Sequence, residues 1–235
     1  VPLAALPLRG PDEPGGAATP LAADPVIPLP ERLAAVVARR PEATALLAGD
    51  PAGDPAGPDA RLDYRSLGEQ VDRLAAVLHG LGVGPEVRVA VCVERSPRTI
   101  VAALAVLRAG GTYVPIEPEY PPSRRRFVLE DSGSRLLVTE RALSLEGEGT
   151  GVPELRLDEP WPAAAPPRTW PALHPLGGAY LMYTSGSTGQ AKGAVITHES
   201  LGRYCVAIGA AVGVDERDVY LHTASFGFSS SIRQL

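Results

Sequence analysis

Of the 22 Lys and Arg residues in this 235-residue chain, only Lys192 is a lysine. It closes the run Leu181-Met-Tyr-Thr-Ser-Gly-Ser-Thr-Gly-Gln-Ala-Lys-Gly193. An ammonium on a flexible stem is a compact point charge that arginine's planar fork does not replace. Glycines let backbone come close to a ligand and adopt positive φ at little cost. Successive free N–H groups in such a turn form a concave anion site. Gly186 and Gly189 supply that backbone, Thr184, Ser185, Ser187 and Thr188 add hydroxyl donors, and Lys192 adds charge for outer phosphates. Together these residue types suit the holding of a polyphosphate.

The spacing sets this loop apart from the P-loop of nucleoside triphosphatases, which needs Gly-x4-Gly-Lys-Ser/Thr opening a helix. Here it is Gly186-x2-Gly189-x2-Lys192, with Gly193 after the lysine. A plain Ser/Gly surface loop has the same composition, but a lone lysine and apolar runs on both sides argue against it. His198 stands at the start of a predicted helix and reads as a locally hydrogen-bonded helix-start residue. Cys92 lies in an apolar run and reads as a small core residue; Cys205 falls on a predicted helix without metal-like neighbours.

The elements that must position the loop come from the apolar pattern. Residues 179–183 predict a buried strand and 194–196 a second short one, making a strand–loop–strand device. Upstream, a helix is expected over 30–40 with Leu33, Val36 and Val37 on one face, then a strand at 45–48. Leu67, Val71, Leu74, Leu78 and Leu81 share one face of a helix over 64–81. A strand at 87–93 leads to Ser96-Pro97, an N-cap followed by proline at the first helical position, and a helix to about 109. Strand 112–115, helix 122–132 and strand 135–139 follow. Residues 146–175 read as a long connection rich in Pro, Gly and Glu. After the loop come a helix over 199–212 and a strand over 219–223. Strands alternating with helices predict an α/β fold with a mostly parallel sheet and flanking helices.

The chain is 45% hydrophobic and 21% charged, ordinary globular material. A net charge of −5 argues against a nucleic-acid footprint. No apolar run approaches a membrane span, and the first eight residues are too short and proline-rich for a signal peptide. Two cysteines far apart suggest a reducing, cytoplasmic compartment. Residues 1–28 read as linker from their Pro, Gly and Ala content. The chain lacks an initial Met and stops at Leu235 inside a motif, so a piece of a longer polypeptide is expected.

The run Tyr183-Thr-Ser-Gly-Ser-Thr-Gly-Gln-Ala-Lys-Gly193 resembles the phosphate-loop signature of acyl-adenylate-forming (AMP-binding) enzymes. That family includes acyl- and aryl-CoA ligases, luciferases and the adenylation domains of nonribosomal peptide synthetases. The usual proline before the lysine is Ala191 here. Leu62-Asp-Tyr-Arg-Ser-Leu67 looks like an early family motif. The stretch Leu107-Arg-Ala-Gly-Gly-Thr-Tyr-Val-Pro-Ile-Glu-Pro-Glu-Tyr-Pro121 and its continuation through Leu129-Glu-Asp-Ser132 look like the second core motif. Its Ala-Gly-Gly-x-Tyr-Val-Pro form is more typical of the peptide-synthetase branch. The resemblance therefore implies that residues 29–235 are the N-terminal part of an adenylation domain, that is, part of the large domain of an adenylate-forming enzyme.

The resemblance further implies a two-step reaction with ATP and Mg²⁺. A substrate carboxylate attacks the α-phosphorus of ATP to give an acyl-adenylate and pyrophosphate. A thiol, the phosphopantetheine arm of a carrier (thiolation) domain, then takes the acyl group. Thr184 to Gly189 would bind phosphates, with Lys192 as the catalytic cation. The family's metal-ligating carboxylate, ribose-binding acid and C-terminal lysine fall beyond Leu235, so this chain alone should not catalyse. An upstream condensation domain is a possible neighbour.

The ending Phe226-Gly-Phe-Ser-Ser-Ser-Ile-Arg-Gln-Leu235 departs from the family. Amino-acid-activating members carry Phe-Asp-x-Ser, whose aspartate pairs with the substrate α-ammonium. Aligning Phe228 and Ser231 puts Ser229 at that place, and a serine cannot neutralise a buried ammonium. A substrate without a free α-ammonium is expected: a hydroxy, keto, aryl or fatty acid, or an amino acid anchored differently. Ser230 and Arg233 would line the same pocket, with Arg233 either facing an anionic substrate group or turned to solvent. Two other readings stay open: the N-terminal part of a stand-alone acyl- or aryl-CoA ligase, and a non-catalytic nucleotide-binding module.

Overall fold

The computed structural model describes residues 26–49, 61–184 and 191–227. In chain order the elements are α1 (Leu29–Arg39), β1 (Thr44–Leu47), β2 (Arg61–Asp63), α2 (Tyr64–Gly80), β3 (Arg88–Val91), α3 (Pro97–Arg108), β4 (Thr112–Pro115), α4 (Pro122–Asp131), β5 (Leu136–Thr139), β6 (Glu154–Arg156), β7 (Gly178–Thr184), β8 (Lys192–Thr197) and α5 (His198–Val212). β1 and β2 form a small antiparallel pair. The main sheet has six strands in the order β6-β5-β3-β4-β7-β8. β3, β4, β5, β6 and β7 run parallel, and β8 alone is antiparallel, paired to β7. The α/β architecture with a mostly parallel sheet and flanking helices is therefore as the sequence predicts.

Successive residues of a strand face opposite ways, and both faces of this sheet are covered. Val89, Val91, Tyr113, Leu136 and Val138 pack with α2 and α3. Ala90, Cys92, Val114 and Leu137 pack with Val128 and Leu129 of α4. α2 buries Leu67, Val71, Leu74 and Leu78, the apolar face expected. Its N-cap is Asp63, whose carboxylate accepts the Ser66 N–H at 2.7 Å, which gives the early motif its structural role. The helix ends at Gly80, and Leu81, expected on the buried face, is 51% exposed.

The paired glycines of the second motif also have a physical cause. Gly110 has φ 88°, in the left-handed region that only glycine enters freely. A Cβ at Gly111 would lie 2.8 Å from Val83 Cγ1 and 3.1 Å from the Val87 carbonyl. The turn between α3 and β4 is thus pressed against the backbone that enters β3.

Two local expectations are corrected. The connection 146–175 contains a strand, β6, of which only Leu155 is buried. Its flanking charged side chains masked it. Residues 219–223, expected as a strand, form no regular element and pair with nothing in either sheet. Val219, Tyr220 and Leu221 are 83%, 59% and 77% exposed. Their β-prone composition meets the local condition for a strand, but a strand also needs a neighbour to satisfy its ladder. The other predicted elements are present within a few residues.

Candidate functional site

The connection after β3 leads through α3 to β4 on one side, and the connection after β4 leads through α4 to β5 on the other side of β3. β3 and β4 therefore flank a topological switch point. In open α/β sheets ligands bind outside the carboxyl ends of the strands at such a point. Because β7 runs parallel to β4, its carboxyl end, Thr184, emerges on this same edge.

β7 and β8 form the predicted strand–loop–strand device, longer than its apolar runs suggested. Thr184 and Lys192 are direct register partners at its mouth, and both side chains are exposed. A hydroxyl and an ammonium opposed at the loop end of a hairpin fit an anion such as a phosphate. Ser185, Gly186, Ser187, Thr188 and Gly189 lie outside the described residues, as do Phe228, Ser229, Ser230 and Arg233.

The last turn of β7 is fastened from the side. Tyr183 donates its hydroxyl to Asp131 at 2.6 Å and its ring meets Phe127 edge-on at 6.0 Å. Burial, and then the Asp131 carboxylate, push the Tyr183 phenol well above its ordinary pKa. Opposite Tyr183 stands Gly193, where a Cβ would come within 3.1 Å of Leu181 Cδ2 and 3.3 Å of the Tyr183 ring. The glycine after the lysine thus makes room for the tyrosine that steers the strand end. At the other end of β7, Thr112 donates to the Gly178 carbonyl at 2.9 Å. Glu86, itself at φ 64°, accepts the Gly178 N–H at 3.1 Å.

His198 opens α5 and is 3% exposed. Its backbone N–H donates to Gly177 O at 3.0 Å, in keeping with a structural helix-start residue. Its ring Nδ1 has no partner among the described residues, and burial lowers its pKa. Cys92 is buried, its thiol pushed up to about 11 chiefly by desolvation, so it is an inert core residue at neutral pH.

A cavity of about 250 Å³ opens beyond β3 and β4, lined by Val93, Arg95, Glu117, Tyr120, Ser225 and Phe226 among others. Arg95 donates to the carbonyls of His222, at 2.8 Å, and Ala224. Its guanidinium also lies 5.5 Å from the Phe226 ring centroid. Glu117, 8% exposed, accepts the Gly227 N–H. Sequence reasoning missed these residues. The visible signals were that Glu117 and Tyr120 sit inside the second core motif and that Phe226 opens the chain's ending.

A family model for AMP-binding enzymes matches residues 33–235. Tyrocidine synthase 2 of Brevibacillus parabrevis is 36% identical over 195 residues, which is 83% of this chain and 5% of that protein. The chain thus spans about one-twentieth of the length of that curated relative. Its fold is similar to that of the nonribosomal peptide synthetase FmoA3, with a TM-score of 0.76 and 28% identity over 89% of this chain and 22% of that one. It is also similar to the N-terminal subdomain of Klebsiella oxytoca NpsA in complex with 3-hydroxyanthranilyl-AMSN, with a TM-score of 0.73 and 27% identity over 89% of this chain and 51% of that one. Motif order, sheet and family match agree: the chain belongs to the AMP-binding, acyl-adenylate-forming enzyme family and is most like the N-terminal part of a nonribosomal peptide synthetase adenylation domain.

Proposed function

We propose that this chain is part of an adenylation domain that activates a carboxylic acid with ATP and passes the acyl group to a carrier-domain thiol. The observation that carries this reading is the pairing of Thr184 with Lys192 across the mouth of the β7–β8 hairpin, on the carboxyl edge of the sheet. In this reading residues 1–28 are linker and 29–235 the N-terminal part of the domain, working in the cytoplasm within a longer protein. Among the described residues, no helix is long and apolar enough to cross a membrane.

Adenylation moves charge onto pyrophosphate, and preorganised donors are the main way to stabilise it. Backbone amides at Gly186 and Gly189, the hydroxyls of Thr184, Ser185, Ser187 and Thr188, and the Lys192 ammonium suit that task. Support for nucleotide binding comes from FmoA3, whose fold is similar and which has been solved in an AMPPNP-bound form. Mg²⁺ would sit beside the phosphates; among the described residues no group of three His, Cys, Asp or Glu side chains is placed to hold it. Carrier loading through phosphopantetheine draws support from a similar fused adenylation–PCP di-domain of Klebsiella oxytoca. An upstream condensation domain would suit residues 1–28 as a connecting segment.

The substrate class is proposed from Ser229, which stands where an aspartate would meet an α-ammonium. The similar structures point both ways: FmoA3 has been solved with α-methyl-L-serine-AMP and NpsA with 3-hydroxybenzoyl-AMSN. Ser229 favours an acid without a free α-ammonium, and a stand-alone aryl- or acyl-CoA ligase is the second reading that this residue favours. The test is acid-dependent exchange of labelled pyrophosphate into ATP by the full-length protein. Exchange with hydroxy, keto, aryl or fatty acids supports the reading. A strong preference for ordinary α-amino acids overturns the Ser229 assignment, and ATP binding without exchange supports a non-catalytic nucleotide-binding module instead.

A further inference from the structure

Residues 222–227 are tied to the sheet by groups that have no other evident task. Arg95 lies just past β3. Although exposed to solvent, its guanidinium spans two carbonyls, His222 O and Ala224 O, and approaches the His222 ring Nδ1 at 3.4 Å. Its charge lies over the Phe226 ring, a contact that a guanidinium makes well. Phe226 is 8% exposed and stacks on His222 with ring centroids 4.5 Å apart. Glu117 lies just past β4, and its carboxylate accepts the Gly227 N–H. A carboxylate accepting a backbone N–H is one of the stronger hydrogen bonds a side chain makes. Gly227 is also fitted sterically: a Cβ there would lie 3.0 Å from both Glu117 Cγ and Oε1 and 3.3 Å from the Tyr120 hydroxyl.

The two anchors therefore come from the two strands that flank the switch point. They fasten the segment that runs directly into Phe228, Ser229, Ser230 and Arg233. We infer that Arg95 and Glu117 are positioning residues that hold residues 222–227, the run that precedes the acid-recognition residues in sequence, and so set the affinity for the carboxylic acid substrate. This rests on the acid-activating function proposed above. Each acts through the backbone of 222–227, so the effect should fall on the acid and not on the nucleotide, which the β7–β8 hairpin serves.

The test has two readouts. In the full-length protein, Glu117→Ala and Arg95→Ala should each raise the KM for the acid by about tenfold or more, since each removes at least one charge-assisted hydrogen bond to 222–227. The KM for ATP should stay within about twofold of wild type. Glu117→Gln keeps an acceptor oxygen for the Gly227 N–H and should remain close to wild type. Arg95→Lys keeps the charge but not the fork and should behave as Arg95→Ala. In the same full-length protein, hydrogen exchange at residues 222–227 should accelerate in the alanine variants while β3, β4 and β5 stay protected. Gly227→Ala should do the same by steric displacement. An acid KM that does not move, acid and ATP KM values that rise together, or unchanged protection of 222–227 would each overturn the inference. If the wild-type full-length protein shows no acid-dependent exchange, the proposed function falls and the specificity role with it. The hydrogen-exchange result still decides separately whether the two residues anchor the segment.

Discussion

Replacing Lys192 by alanine should separate catalysis from folding. The side chain is exposed at the first position of β8 and forms no ion pair among the described residues. Its removal should therefore leave stability within about 0.5 kcal/mol, as for surface substitutions away from special features. Its effect on adenylation should be far larger. Two unit charges about 4 Å apart interact by roughly 1 kcal/mol in water and roughly 4 kcal/mol at an effective dielectric near 20. An ammonium beside a bound phosphate at a protein surface lies between those limits. A loss of about 3 kcal/mol in the transition state corresponds to a fall of roughly two orders of magnitude in rate. Lys192→Arg should recover part of this, because it restores the charge but not the compact ammonium. The assay is acid-dependent pyrophosphate exchange by the full-length protein, alongside thermal melting of the same samples. Wild-type exchange in Lys192→Ala would refute the role assigned to the hairpin mouth. A collapse of the melting temperature would show that the residue acts through the fold.

Three further outcomes follow from the packing. His198 is buried with a lowered pKa, so the unfolded chain takes up a proton more readily than the folded one. Stability should fall as pH drops below about 6.5, the ordinary histidine value. Urea midpoints measured from pH 8 to 5 should show this decline, and His198→Gln should flatten it. Tyr183→Phe removes the hydrogen bond to Asp131; it should cost about 1 kcal/mol, kept low by the solvent around the carboxylate, and should lower exchange by loosening the loop's entry strand. Gly111→Ala forces a Cβ against Val83, Val106 and the Val87 carbonyl. It should cost about 1–3 kcal/mol, as overpacking does, measurable as a lower denaturation midpoint.

What the sequence made legible depended on how local each cause was. The α2 face was visible because Leu67, Val71, Leu74 and Leu78 carry the helical period themselves, and the Asp63 cap lies within the same motif. The loop was visible because its hydroxyls, glycines and single lysine are consecutive. Leu81 misled because the period continues past the residue where the helix stops. β6 was missed because a three-residue edge strand with one buried side chain has no period to detect. Residues 219–223 misled for the opposite reason: composition favours a strand, but pairing depends on a partner elsewhere. The supports of the site were not legible at all. Tyr183 and Asp131 are 52 residues apart, and Glu117 and Gly227 are 110 apart, and only the fold brings them together.

The central claim is that this chain belongs to a machine that activates a carboxylate by splitting ATP at the α-phosphorus. The most direct measurement is to incubate the full-length protein with ATP and a panel of hydroxy, keto, aryl and fatty acids and to identify the nucleotide products by mass spectrometry. The account predicts an acyl-adenylate, or AMP after its breakdown, together with pyrophosphate, and only when an accepted acid is present. ADP and inorganic phosphate in their place would mean transfer of the γ-phosphoryl group and would contradict it.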